Sequence, residues 1–82
     1  MASYSLFIKP SAAKEIEAVP KPDRGRIVAK IMSLSSDPRP PGCEKLSGHD
    51  QYRIRQGNYR ILYESHDLKL IVVVVKVGRG SL

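Results

Sequence analysis

The sequence is poor in several features by which protein function is often recognised. Its 82 residues include one cysteine, no tryptophan, one phenylalanine and four tyrosines. Cys43 has no partner for an internal disulfide, and together with His49 and His66 it supplies too few ligands for a typical zinc site. A chain with one cysteine fits a reducing cytoplasm. We therefore expect no metal, no cofactor and a cytoplasmic location.

Long apolar runs are also missing. No run approaches the ~20 residues of a membrane span, and the first residues, Met-Ala-Ser-Tyr-Ser, lack the basic and apolar regions of a signal peptide. Neither predicted helix has a strongly basic face opposite a large apolar one, as a helix lying on a membrane surface requires. We expect no membrane partner.

Acidic residues are scarce beside basic ones. Eight Asp and Glu stand against fourteen Lys and Arg, which leaves a net charge of +6. Such a small basic domain favours polyanions such as nucleic acid or an acidic protein. A general solubility charge explains the total equally well, so the placement of the charges has to decide. The length predicts a single domain over residues 1–82.

Hydrophobic periodicity predicts the element order β-α-α-β-β-β. Residues 4–8 alternate and form a strand that ends at Lys9-Pro10, since proline donates no ladder hydrogen bond. Ser11 caps a helix to about Val19, and a second helix begins near Pro22. Residues 35–50 are expected to be irregular. Strands then follow over 51–56, 59–65 and 69–77.

The last predicted strand is apolar on both faces, so it is expected to lie centrally, with the first strand beside it. The direction of that first strand is not evident from the sequence. The predicted fold class is α+β: a two-helix hairpin packed on one face of a four-stranded, mainly antiparallel sheet.

The strongest local pattern surrounds a turn at Gly57-Asn58. A two-residue loop there pairs Arg55 with Arg60 and Arg53 with Leu62. Side chains alternate along each strand, so the three arginines share the face away from the helices. The helix-side face receives the apolar and aromatic residues of both strands: Tyr52, Ile54, Tyr59, Ile61 and Tyr63. A longer loop would shift this register.

Directly opposed arginines cost stability in a sheet. Glu64 is the only acid on that face of the predicted hairpin. A general base is one role for Glu64, but a salt bridge to Arg53 or Lys76 is the expected one. The planar guanidinium fork suits phosphate oxygens and stays charged at every relevant pH. A solvated outer face of the sheet is the alternative, and the residues alone leave both open.

Three arginines can stabilise the negative charge of a phosphorane-like transition state. An RNA-cleaving site also needs a base and an acid, for which His49 and His66 are the conventional candidates. His49 lies in the loop before the hairpin, within reach of the arginines, whereas His66 lies at the far end of its strand. Both fit surface loop histidines better than catalysts, and the tyrosines fit core packing better.

The segment Tyr52-Arg53-Ile54-Arg55-Gln56-Gly57-Asn58-Tyr59-Arg60-Ile61-Leu62-Tyr63-Glu64 resembles the RelE/ParE toxin superfamily, most closely its RelE branch. The motif Lys45-Leu46-Ser47-Gly48 precedes it and the strand 72–78 follows it. The resemblance covers nearly the whole chain.

The resemblance implies a small basic mRNA interferase that enters the ribosomal A site and cleaves mRNA. The 2′-hydroxyl is the nucleophile and no metal is required. A RelB-like antitoxin neutralises the toxin, and operator DNA is contacted only through the toxin–antitoxin complex. Arg53, Arg55 and Arg60 are the expected catalytic residues, and Lys45 and Arg79 the expected RNA-binding residues. Since arginines stand where RelE toxins have a proton-transferring lysine, charge stabilisation is expected.

The chain departs from the resemblance at its end. RelE-type chains continue after Val-Gly with a His/Lys-Arg pair and then a tyrosine, whereas Arg79, Gly80, Ser81 and Leu82 follow here. We expect weakened toxicity from this difference. The alternative function is a binding module that complexes an antitoxin and takes part in operon autorepression without cleaving RNA. A ParE-like gyrase poison is the third possibility, which the three arginines disfavour.

Overall fold

The computed structural model describes residues 3–46, 48 and 50–80. Within these residues, two helices and five strands follow in chain order: β1 Ser5–Ile8, α1 Pro10–Glu17, α2 Asp23–Ser33, β2 Glu44–Lys45, β3 Gln51–Gln56, β4 Tyr59–His66 and β5 Ile71–Arg79. The strands form one sheet in the order β1-β5-β4-β3-β2. The predicted α+β class is confirmed, with five strands in place of the expected four.

The first strand lies beside the last, as expected because the last strand is apolar on both faces. The two strands run parallel. All other neighbouring strands are antiparallel. Parallel pairing follows from the connection, because two helices and three further strands separate β1 from β5 and return the chain to the same end of the sheet.

Both helices begin at proline signals. Pro10 occupies the start of α1, where its missing N–H would have no intrahelical partner, and Lys9 precedes it without a side-chain cap. The prediction that Ser11 caps this helix is therefore wrong. In α2, Pro22 takes the N-cap position and Asp23 supplies a negative charge to the first turn, where the helix dipole favours it.

The apolar stripes of the helices pack on one face of the sheet. The buried core joins residues from both layers: Ala12, Ile16, Val19, Ile27, Ile31, Leu34, Tyr52, Ile54, Tyr59, Ile61, Tyr63, Val72, Val74 and Val77. Tyr52 and Tyr63 stack there with ring centroids 5.7 Å apart. The tyrosines thus serve core packing, as expected.

The β3–β4 hairpin has the predicted register. Gln56 pairs with Tyr59, Arg55 with Arg60, and Arg53 with Leu62. Gly57 adopts a φ of 61°, a left-handed conformation that glycine enters without steric cost and that the first position of a type II′ turn requires.

Strand β5 contains an irregularity that periodicity does not reveal. Val72, Val74 and Val77 are all buried on the helix side, although Val74 and Val77 are three residues apart. The pairing with β4 shifts register between Leu62 and Tyr63. One extra residue on β5, as in a β-bulge, restores the alternation and keeps the end of the strand on the core.

The segment expected to be irregular contains β2. Glu44 pairs with Arg53 and Lys45 with Tyr52. Two residues are too few to produce a recognisable alternation, so tertiary pairing alone reveals this strand. Within the described residues, no helix is long and apolar enough to cross a membrane.

Candidate nucleic-acid interface

The sheet face away from the helices carries the three predicted arginines, and we call Arg53, Arg55 and Arg60 the arginine face. Arg55 on β3 lies directly opposite Arg60 on β4, and Arg53 lies two residues along β3. Arg55 is exposed, whereas Arg53 and Arg60 are half-buried. The hairpin alternation therefore brings three guanidinium groups to one uncovered surface.

The three members of the arginine face differ in their hydrogen-bond partners. Arg53 donates from Nε and Nη2 to Oε1 of Glu44, at 3.2 and 3.1 Å. Arg60 donates from Nη1 to the carbonyl of Gly80. Arg55 makes no hydrogen bond or ion pair with any other described residue. Its charge is therefore the one most accessible to an external anion.

The acid beside these arginines is not the predicted one. Glu64 accepts a hydrogen bond from Nε2 of His66 at 3.0 Å, and Lys76 pairs with Glu15 at 3.1 Å. The expected salt bridge from Glu64 to Arg53 or Lys76 is therefore wrong. Glu44 was missed as a neighbour of Arg53 because the β2–β3 pairing is not evident in the sequence.

The two predicted RNA-binding residues do not join the arginine face. Lys45 pairs with Tyr52 and Arg79 pairs with Tyr59. Since directly paired residues point to the same side of a sheet, both lie on the helix-bearing side. The guanidinium carbon of Arg79 lies 5.7 Å from the ring centroid of Tyr59, a cation–π distance.

The histidines contribute no proton-transfer group to the arginine face among the described residues. His66 lies six residues from Arg60 along β4, a distance of ~20 Å at strand rise. Its Nδ1 lies 3.7 Å from Asp50 and its Nε2 3.0 Å from Glu64. His49, expected within reach of the arginines, falls outside the described residues.

A cluster of charged and polar side chains lies on the helix side, and we call Arg39, Asp67, Ser65 and Tyr4 the Arg39 network. Nη1 of Arg39 donates to Oδ1 of Asp67 at 3.1 Å and to Oγ of Ser65 at 3.3 Å. Tyr4 and Ser65 donate their hydroxyls to the same Asp67 oxygen at 2.9 and 3.0 Å. These interactions tie β1 and the loop after α2 to the β4–β5 turn.

The charges of the Arg39 network stabilise one another. Hydrogen bonds from Arg39 first, and then from Tyr4, lower the pKa of Asp67, while the same carboxylate raises the pKa of Arg39. The guanidinium also lies 5.7 Å from the ring centroid of Tyr52. The partners are separated by up to 63 residues in sequence, so no local pattern predicts this cluster.

Comparison with known proteins identifies the family. A family model described as ParE toxin of type II toxin–antitoxin system, parDE, matches residues 6–81. The chain belongs to this family. Within the RelE/ParE superfamily it is a RelE-like toxin of a type II toxin–antitoxin system, because solved RelE structures match its fold over nearly its whole length.

Three of these structures show the extent of the likeness. A RelE mutant from E. coli in the free state is 30% identical, covering 94% of this chain and 83% of that chain with a TM-score of 0.78. The intact E. coli RelBE toxin–antitoxin complex is 26% identical, covering 98% of this chain and 100% of that chain with a TM-score of 0.83. The RelE–RelB complex of Pyrococcus horikoshii is 25% identical, covering 94% of this chain and 94% of that chain with a TM-score of 0.86. No curated protein sequence matches the chain.

Proposed function

We propose that this RelE-like toxin inhibits translation by cleaving mRNA on the ribosome, with Arg53, Arg55 and Arg60 as its catalytic residues. The observation that carries the proposal is the convergence of three guanidinium groups on one uncovered sheet face, although opposed like charges cost stability there. Local conflicts of this kind are expected at functional sites. Of the three, Arg55 has no partner among the described residues and offers its charge directly to phosphate.

The proposed reaction is transfer of the phosphoryl group within the RNA chain. The 2′-oxygen attacks the adjacent phosphorus, the bond from phosphorus to the 5′-oxygen breaks, and a 2′,3′-cyclic phosphate and a 5′-hydroxyl result. The proton lost by the 2′-hydroxyl is balanced by the proton gained at the 5′-oxygen. The arginines stabilise the extra charge on the phosphorane, and groups other than the arginines move the protons because guanidinium stays protonated.

The proposed partners are the ribosome with its mRNA and a RelB-type antitoxin, in the cytoplasm. The antitoxin is inferred from the RelE–RelB complexes among the similar structures. Operator DNA is a partner only through the toxin–antitoxin complex. The uncovered sheet face also supports an antitoxin partner, because Phe7 is 55% exposed there and a covering segment would bury it.

The proposal is tested with programmed ribosomes, the purified chain and a labelled mRNA. We expect wild-type protein to cut the mRNA in the A site and Arg55→Ala to cut far more slowly. Arg24→Ala is the matched control, since it removes the same charge from α2, where Arg24 donates to the carbonyl of Glu17 at 3.4 Å. Equal rates for the Arg55→Ala and Arg24→Ala variants would refute the assigned role of the arginine face.

Two other outcomes of this test favour other functions. Ribosome occupancy without cleavage supports the binding module that complexes an antitoxin and represses its operon. Gyrase-dependent DNA breaks would support a ParE-like activity. The expectation of weakened toxicity gains no support from the family match or the similar structures, and the proposal does not depend on it.

A further inference from the structure

Among the described residues, Glu44 is an acid that contacts the arginine face. It lies on β2 directly opposite Arg53, and one of its oxygens, Oε1, accepts both the Nε and the Nη2 hydrogen bonds. The Glu44 side chain is 63% exposed, whereas that of Arg53 is only 28% exposed. The carboxylate therefore approaches the guanidinium from the solvent-exposed edge of the sheet.

The geometry points to a role for Glu44 beyond charge neutralisation. Two donors on one edge of a planar group, both directed to one acceptor, restrict rotation of the guanidinium plane about the end of its side chain. An arginine that is free to rotate loses rotamer freedom when a ligand orders it. An arginine ordered in advance has less of this entropy left to lose when a phosphate binds.

We propose that Glu44 is a positioning residue, which holds Arg53 in the orientation that contacts the RNA phosphate. The inference rests on the proposed function, because it takes RNA as the ligand of the arginine face. Glu44 acts through Arg53 and does not itself touch the phosphate, which its negative charge repels. Arg53 is thereby assigned a fixed contact and Arg55 a mobile one.

A competing role for Glu44 predicts the opposite effect. If the carboxylate only occupied the arginine in place of RNA, its removal would release Arg53 and increase the contribution of Arg53 to RNA binding. If Glu44 orients Arg53, its removal decreases that contribution. The sign of the coupling between Glu44 and Arg53 therefore separates the two roles, and a double-mutant cycle measures it.

The experiment measures the affinity of a short single-stranded 2′-O-methyl RNA, which lacks the nucleophile and cannot be cut. In the wild-type background, Arg53→Ala is expected to weaken binding about tenfold, as for a charge-assisted hydrogen bond. In the Glu44→Ala background the same change is expected to weaken binding less than about threefold. An Arg53 effect that stays the same or grows in that background overturns the proposal.

Glu64→Ala is the matched control for the lost negative charge. Glu64 lies on the same sheet face but is bonded to His66. Removing either negative charge is expected to tighten RNA binding by a similar small Coulomb factor, less than about fivefold. In Glu44→Ala the lost orientation of Arg53 offsets this gain, whereas in Glu64→Ala nothing offsets it. With Glu64→Ala, Arg53→Ala should still weaken binding about tenfold. Loss of the Arg53 effect in the Glu64→Ala background as well would contradict a specific role for Glu44.

Glu44→Gln distinguishes orientation from a structural role. The amide keeps an oxygen that accepts hydrogen bonds from Arg53 but removes the charge. In the Glu44→Gln background, Arg53→Ala should therefore weaken RNA binding by at least half of its wild-type effect on a logarithmic scale. Restoration supports the proposal, and a glutamine variant that behaves as the alanine variant overturns it. Far-UV circular dichroism and thermal unfolding of each variant identify any loss of the fold.

The cycle remains informative if the proposed function fails. It measures binding to an RNA that cannot be cleaved, so its sign can be read even if wild-type protein cuts no mRNA on ribosomes. If the wild type cleaves mRNA but Glu44 and Arg53 show no coupling, only the positioning role of Glu44 is refuted. If the wild type does not cleave mRNA but the Arg53→Ala effect is still smaller without Glu44, the proposed nuclease activity is refuted. Glu44 then remains a positioning residue for RNA binding.

Discussion

Arg39 and Arg55 carry the same charge in very different surroundings. Arg39 is bonded to Asp67 and Ser65 and lies against the Tyr52 ring, and it connects distant parts of the chain. Arg55 is exposed, as Arg39 is, but it has no partner among the described residues and lies opposite Arg60. The difference separates two uses of a cation: one whose hydrogen bonds are satisfied stabilises the fold, and one left unsatisfied beside a like charge is available to an external anion.

Replacing Arg55 with alanine is expected to have the largest effect on function. Ribosome-dependent cleavage should fall about 10²–10³-fold, as for loss of one transition-state charge donor. Stability should be unchanged or rise by about 0.2–1 kcal/mol, because an opposed like charge is removed. Cleavage rates and urea unfolding measure the two effects.

Arg60→Ala serves as a companion variant, since it removes the other member of the opposed pair together with its bond to Gly80. A similar loss of cleavage with little change in stability is expected. A large loss of thermal stability in the Arg60→Ala variant would assign Arg60 to the fold and break the distinction between the two regions.

Replacing Arg39 with alanine should give the reverse result. Loss of the bonds to Asp67 and Ser65 is expected to lower the free energy of unfolding by about 1–2 kcal/mol, since solvent screens the partly exposed Arg39–Asp67 pair. Cleavage per folded molecule should stay close to that of the wild type. Chemical denaturation and a cleavage assay below the unfolding transition measure both quantities. A slower cleavage rate at full folding would place Arg39 in the functional surface.

Replacing Tyr63 with phenylalanine probes the neighbouring loop at a smaller scale. The Tyr63 hydroxyl donates to the carbonyl of Pro38 at 2.6 Å in the buried interior, and its loss should destabilise the fold by about 1 kcal/mol. Tyr59→Phe is the matched control, because the Tyr59 hydroxyl makes no hydrogen bond among the described residues. Equal stability of the two variants would show that this contact does not stabilise the loop.

Acid titration of stability should give the smallest effect. Because the pKa of Asp67 lies below its ordinary value of 3.8 in the folded chain, the unfolded chain binds this proton more readily. The stabilisation is present above pH 3.8 and is lost as pH falls through the folded-state pKa. Urea unfolding across the acid range should show a shallower decline for Asp67→Asn than for the wild type.

Some of that acid dependence should remain in the Asp67→Asn variant. The backbone N–H of Val77 donates to Glu15 at 2.9 Å and lowers the pKa of that carboxyl in the same direction. A decline identical to that of the wild type would show that the Arg39 network contributes no pH-dependent stability.

The sequence predicted the hairpin better than any other part of the fold. The turn at Gly57, the register and the division of side chains between two faces depend on neighbours within a few residues. Alternation along a strand is a local property of the backbone, so the three arginines could be assigned to one face before the structure was known. The buried stripe through Ile27 and Ile31 on α2 has the 3.6-residue period of a helix, which is also a local property of the chain.

Other features escaped prediction because they depend on residues far apart in the chain. The bulge in β5 appears only when β4 is placed beside it, and β2 is too short to have a period of its own. Lys45 and Arg79 were assigned to RNA by resemblance, yet their pairing with Tyr52 and Tyr59 directs them to the helix side. Their predicted role in RNA binding stays a prediction.

By itself the sequence determined which face of the sheet carries the arginines, because side-chain alternation and the Gly57-Asn58 turn are properties of adjacent residues. Only the tertiary structure decided how each arginine is held. Glu44 reaches Arg53 through strand pairing, Gly80 reaches Arg60 from the end of β5, and Arg55 has no partner among the described residues. Such contacts depend on chain segments brought together by burial of the common core, which no local pattern records.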